Sequence, residues 1–253
     1  MMWFWQVTPH LRFKKSSFSL IRNLESRTLV SCIFLGFEIA RSPAGIFLNQ
    51  SKYTLELLED AGLLAAKPFV IPFNPTAKLF VDDGPVLDDP SLYRRLIGKL
   101  IYLTNSQSGI SFVVQHLSQY VFNPRVPHYQ AATQILRCLK FVLAKVLLFS
   151  TTSKLQLFGF ADSDWARCPD TRKSIKGYCV MLWSSLLSWK SKKQHTVSRS
   201  SIEAEYRALA AVTCELQWLS FLFQDLLVHF DKPASIFCDN KSSIYLAYNC
   251  NAC

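Results

Sequence analysis

Acidic residues set directly behind short apolar runs constrain this chain more than any other feature. In residues 155–170, LQLFGFADSDWARCPD, the side chains of Leu155, Leu157 and Phe160 give an imperfectly alternating apolar run that ends in a polar turn. That is the pattern of a short buried strand. The run leads straight into Asp162 and Asp164. A charge at the end of a core strand is costly unless it is paired or hydrogen-bonded. Such a residue is therefore a turn former with local partners, or it binds a cation. Taken alone, Asp-x-Asp reads first as a turn, because aspartate is a common turn residue.

Two later stretches shift the balance toward a cation. In residues 197–209, VSRSSIEAEYRAL, Ser200 followed by Glu203 is a capping-box pattern and predicts a helix start. Ala204, Leu209, Val212, Leu216, Leu219 and Phe223 continue at spacings that make one apolar face. Glu203 is thereby assigned to the cap, whereas Glu205 points elsewhere and has no basic residue four positions away. In residues 234–245, ASIFCDNKSSIY, Ile236 and Phe237 read as a further short strand, followed by Asp239 and a helix start at Ser242 or Ser243. Strand-Asp, helix-Glu, strand-Asp is the pattern of a hydrolytic metal site, and hard carboxylate oxygens suit Mg²⁺.

The segments FADSDWARCPDTRKSIKGYCV, SWKSKKQHTVSRSSIEAEYRALA and CDNKSSI closely resemble the ribonuclease H domain of copia-type retrotransposon polyproteins. Upstream, FLGFEIARSPAGIFLNQSKYTLELLEDAGL and YRRLIGKLIYLTNSQSGISFVVQHLSQYV resemble the end of the reverse transcriptase region and the tether to ribonuclease H. The likeness covers about residues 33–249, in the family's order. It implies an α/β (mixed α+β) fold: a ribonuclease H-like mixed sheet with helices, preceded by a small hairpin and a mostly helical connection. The implied divisions are 1–32 unassigned, 33–66 end of reverse transcriptase, 67–90 linker, 91–150 tether and 151–253 ribonuclease H-like. The implied activity is Mg²⁺-dependent hydrolysis of RNA in RNA–DNA hybrids, with Asp162, Glu205 and Asp239 as catalytic metal ligands and Asp164 as a lesser candidate. The family uses two ions, with Mn²⁺ an alternative, and a fourth aspartate on a segment that follows the second helix. That aspartate is absent from these residues, so the fragment is expected to hold at most one weak Mg²⁺ site and to cleave near background.

Composition sets broader limits. Half of the 253 residues are apolar, enough for a large core or two small ones. The net charge of +10 favours a polyanionic partner. The eight cysteines are scattered behind no secretory signal, which predicts reduced thiols in a cytoplasmic or nuclear setting. Residues 29–37 form an apolar run too short for a bilayer, which needs about 20 residues, so no membrane role is expected. Cys250 and Cys253 form a CxxC without a second pair or a nearby histidine, and it reads as coincidence.

Along the chain, residues 33–39 and 45–48 predict a hairpin turning at 41–44, and residues 51–62 an amphipathic helix. Residues 67–90 hold five of the eleven prolines and read as linker. Helices are predicted at 91–106, 110–120 and 127–140, the first with a basic face of Arg94, Arg95 and Lys99 that suits solvent or nucleic acid equally. No Tyr-x-Asp-Asp occurs, and Asp82-Asp83 and Asp88-Asp89 lie in polar loop sequence, so polymerase chemistry is excluded. Strands at about 155–162, 177–183 and 186–190, a long helix, a fourth strand and a second helix complete the pattern. Lys190, Lys192, Lys193 and Arg199, beside Trp189, predict phosphate contacts with a hybrid or another nucleic acid. His195 reads as a surface residue, and no His-Asp pair accompanies Ser198, Ser200 or Ser201 to make a serine triad. The competing reading is a non-enzymatic remnant, either a basic nucleic-acid binder or an unstable product with no selected role.

Overall fold

The computed structural model describes residues 30–72, 79–143, 145–152 and 154–249. The expectations for residues 1–29 and for Cys250 and Cys253 lie outside them. The chain is mixed α/β and divides into two compact units that meet at Thr151 and Thr152.

The first unit carries an antiparallel sheet of β1 (Val30–Phe34), β2 (Phe37–Ser42), β3 (Gly45–Asn49) and β4 (Leu147–Ser150), in that order. Residues 33–39, expected as one strand, are two strands joined at Leu35 and Gly36, both at positive φ (48° and 71°). Such a pair of left-handed residues makes the tight turn whose twist suits a hairpin. The second turn falls at Pro43 and Ala44, and a Cβ on Gly45 would stand 2.1 Å from the Phe149 carbonyl oxygen. Gly45 thus admits β4, a strand whose four residues gave no alternation to find in the sequence.

Four helices supply the core of this unit: α1 (Ser51–Asp60), α2 (Pro90–Leu103), α3 (Ser111–Leu117) and α4 (Val126–Phe141). In α2 the buried residues Tyr93, Leu96, Ile97, Leu100 and Leu103 follow helical spacing. The helix begins where Asp89 accepts a hydrogen bond from the Ser91 N–H at 2.8 Å, with Pro90 in the first turn. Two members of its basic face have partners within the unit: Arg94 donates to the Val121 and Phe122 carbonyls, and Lys99 pairs with Asp60, while Arg95 is exposed. Residues 79–89 are mostly exposed, and are anchored where Leu79 is buried and Asp82 pairs with Arg125 at 2.8 Å. Fully buried His128 stacks on Tyr120, accepts at Nδ1 from the Arg125 N–H and donates from Nε2 to the Phe80 carbonyl.

The second unit has a sheet ordered β7-β6-β5-β8, from β5 (Leu157–Asp164), β6 (Ile175–Leu182), β7 (Ser185–Lys193) and β8 (Ser235–Phe237). β5, β6 and β7 are antiparallel neighbours, and β8 pairs parallel with β5. Helix α5 (Ser201–Asp225) packs Ala208, Leu209, Val212, Leu216 and Leu219 with Leu157, Ala161 and Val180. Helix α6 (Lys241–Tyr248) follows β8, capped by Asn240, whose side chain accepts from the Ser243 N–H at 3.0 Å. Ser200 caps α5 as expected, but Glu203 reaches back to the Arg199 N–H at 2.8 Å and pairs with Arg207 at 2.7 Å. Among the described residues, six cysteines are free thiols and no helix is long and apolar enough to cross a membrane.

Candidate metal centre

Side chains alternate across a strand, so the odd positions of β5 face α5 and the even positions face away. Ala161 and Ser163 are buried under the helix, whereas Asp162 and Asp164 lie on the opposite face near the strand's end. The parallel pairing sets Phe160 against Phe237. Two residues further along each chain come Asp162 and Asp239. Glu205 arrives from the start of α5, only 7% exposed.

Two donors orient Glu205. Its Oε1 accepts from the Ser163 N–H at 3.1 Å, and its Oε2 from the Cys238 thiol at 3.9 Å. Burial, with the negative charges of Asp162 and Asp239, lifts its pKa from 4.5 to about 7, against the pull of the Ser163 and Cys238 contacts. Donor atoms of Glu205, Cys238 and Asp239 all lie within 4.8 Å of one another. Asp162 lies outside this tightest group of donor atoms and reaches Glu205 through its charge. Burial pushes the Cys238 thiol up to about 11, so near neutrality it joins the cluster as a protonated group. The strong donors are carboxylate oxygens, the hard ligands that Mg²⁺ or Mn²⁺ takes, and the residues present fit such an ion.

A buried polar relay fixes the surroundings. Gln194 Nε2 donates to Ser163 Oγ at 3.2 Å and to the Ala204 carbonyl at 3.0 Å, while Ser198 Oγ donates to Gln194 Oε1 at 2.9 Å. Gln194 thus ties the end of β7 to β5 and to the first turn of α5. Trp165 Nε1 adds a bond to the Ser198 carbonyl at 3.0 Å. Neither Gln194 nor Cys238 carried a sequence signal, because each matters only through where its loop closes.

Strand register divides the basic cluster in two. Asp164, Ile175 and Lys193 form one cross-strand row, which places Lys193 on the carboxylate face. Ser163, Lys176 and Lys192 form the adjacent row on the α5 face, and Lys190 joins them opposite Tyr178. Arg199 and His195 are exposed on the segment before α5.

A mixed α/β chain with converging acids and a basic surface defines a broad class, and sequence comparison narrows it. The chain is 39% identical over 216 residues to the retrovirus-related Pol polyprotein from transposon RE1 of Arabidopsis thaliana, covering 85% of this chain and 15% of that protein. It is 31% identical over 226 residues to the corresponding polyprotein from transposon TNT 1-94 of Nicotiana tabacum, covering 85% and 17%. It is also 40% identical over 187 residues to the uncharacterized mitochondrial protein AtMg00810 of Arabidopsis thaliana, covering 74% and 78%. The chain belongs to the family of copia-type retrovirus-related Pol polyproteins. It spans about 15% of the length of the first of these relatives. No family model and no solved structure matches it.

Proposed function

We propose that residues 152–249 form a ribonuclease H-like unit, the part of the polyprotein that hydrolyses RNA in RNA–DNA hybrids with Mg²⁺. The observation that carries this reading is the placement of Asp162 and Asp239 at matching ends of two parallel strands, with the buried Glu205 of α5 near enough to feel both charges. Those three residues would hold the ion, with Asp164 on the same face as a further acid. The chemistry that bound Mg²⁺ supplies is charge for polarising a water and for stabilising the departing 3′ oxygen.

The protein's own contribution is positional. The Ser163 N–H aims Glu205 inward, and Gln194 holds Ser163 and α5 at a fixed spacing. Glu205 must give up its proton to act as a ligand, so ion binding strengthens as pH rises through about 7. Lys193 and Arg199 are the cations placed to meet the hybrid's phosphates, which position a duplex without reading its sequence. Recognition by backbone shape and 2′-hydroxyls suffices for such a substrate.

The test is cleavage of a labelled RNA–DNA hybrid by the purified chain. With three converging carboxylates, cleavage is expected to be slow in Mg²⁺, faster in Mn²⁺, and lost in Asp162→Asn and Glu205→Gln. Hybrid binding without cleavage in either metal would overturn the hydrolase reading. It would favour the second one, a basic nucleic-acid-binding remnant, which the division of lysines over two faces already supports.

A further inference from the structure

On the α5 face of the second sheet an open cavity of about 330 Å³ is lined by Lys176, Tyr178, Lys190, Lys192 and the α5 residues Cys214 and Glu215. Lys176 and Lys192 are directly opposed across β6 and β7. Like charges in that position destabilise a sheet unless something neutralises them. Arg207, on α5, adds its charge to the repulsion at Lys176. Glu215 is the acid in the lining, and its carboxylate is already engaged: Oε2 accepts from the Tyr178 hydroxyl at 2.9 Å and Oε1 from the Ser188 hydroxyl at 2.6 Å. Among the described residues no ion pair joins Lys176, Lys190 or Lys192 to an acid. Three lysines therefore face one committed carboxylate.

We propose that this groove is a phosphate-binding site, separate from the metal centre, whose β5 aspartates lie on the other face of the sheet. Three ammonium groups on independent, flexible stems suit a compact oxyanion with several charged oxygens, which each lysine meets as a point charge. A singly charged carboxylate would leave most of that repulsion in place. Burial and the charges of Lys192, Lys190 and Arg207 also hold the Lys176 ammonium below its usual pKa, a penalty that a bound anion relieves. The phosphate can belong to a nucleic-acid backbone or to a free phosphate compound, since the chemistry is shared. The proposal does not rest on the hydrolase reading.

The experiment uses the full chain in EDTA, so that the metal centre contributes nothing. Pyrophosphate binding is followed by calorimetry and oligonucleotide binding by fluorescence anisotropy. Lys176→Gln/Lys192→Gln is compared with Lys52→Gln/Lys232→Gln, two exposed lysines that belong to neither site. Loss of two charge-assisted contacts is expected to weaken pyrophosphate at least about tenfold in the first pair and to leave it unchanged in the second. If the ligand is a nucleic-acid backbone, the first pair also makes the slope of log affinity against log salt shallower by roughly 2. Loss of pyrophosphate alone identifies a free phosphate ligand. Because the substitution removes a like-charge pair, its melting temperature should equal or exceed that of the parent, which separates lost binding from lost fold. Binding of both probes unchanged by Lys176→Gln/Lys192→Gln overturns the proposal.

Discussion

A methyl group at position 159 would stand 2.8 Å from Val212 Cγ2 and 2.9 Å from Leu216 Cδ1. Glycine there lets α5 approach β5 closely, and the approach delivers Glu205 to the end of the strand. Gly159→Ala is expected to destabilise the second unit by about 1–3 kcal/mol, the usual cost of overpacking, measured by denaturant unfolding. Glu205 makes a second prediction. Its folded pKa is raised from 4.5 to about 7, so the native state keeps a proton that the unfolded chain releases between those values. Its contribution is whole below 4.5 and fades as pH rises to about 7. Stability in EDTA should therefore fall across that window, and Glu205→Gln should flatten the fall. Asp162 and Asp239 stood out in the sequence because a charge behind an apolar run conflicts with burial. Gln194 was not, since its partners are set by how three elements meet.

Elements with a strong period were read within a few residues. The helices found at Pro90–Leu103, Val126–Phe141 and Ser201–Asp225 each carry an apolar stripe that sequence displays directly. Short strands were harder, because three or four residues fix no period; β4 and the split of β1 from β2 show this. The facing of the lysines was hidden for a related reason. A run such as Lys190–Lys193 looks like one patch until a strand register assigns alternate residues to opposite sides. At the other edge of that sheet, β8 is only three residues long, with Ile236 40% exposed and Phe237 44% exposed. An open apolar edge invites pairing with another chain, and lysine is a common natural block. Ile236→Lys is expected to reduce concentration-dependent association, followed by sedimentation velocity. Identical sedimentation of the two proteins would show that this edge is not where chains meet.

At the scale of the whole molecule, each unit has its own sheet and its own core. The mixed α/β class was legible because strand-like and helix-like stretches alternate along the chain. Where the first unit closes was not, because the strand that completes its sheet lies about a hundred residues beyond its partner. That closure has a mechanical side. Val30, Arg41, Ile46 and Phe149 occupy one row across the four strands. The chain therefore enters β1 and leaves β4 at the same end of the sheet, about 14 Å apart at the usual strand spacing. Tension applied through the flanking polypeptide would load the outermost hydrogen bonds one pair at a time, peeling the edges rather than shearing all the ladders together. A unit threaded in this way yields to a pull at lower force than one whose ladders are loaded together in shear.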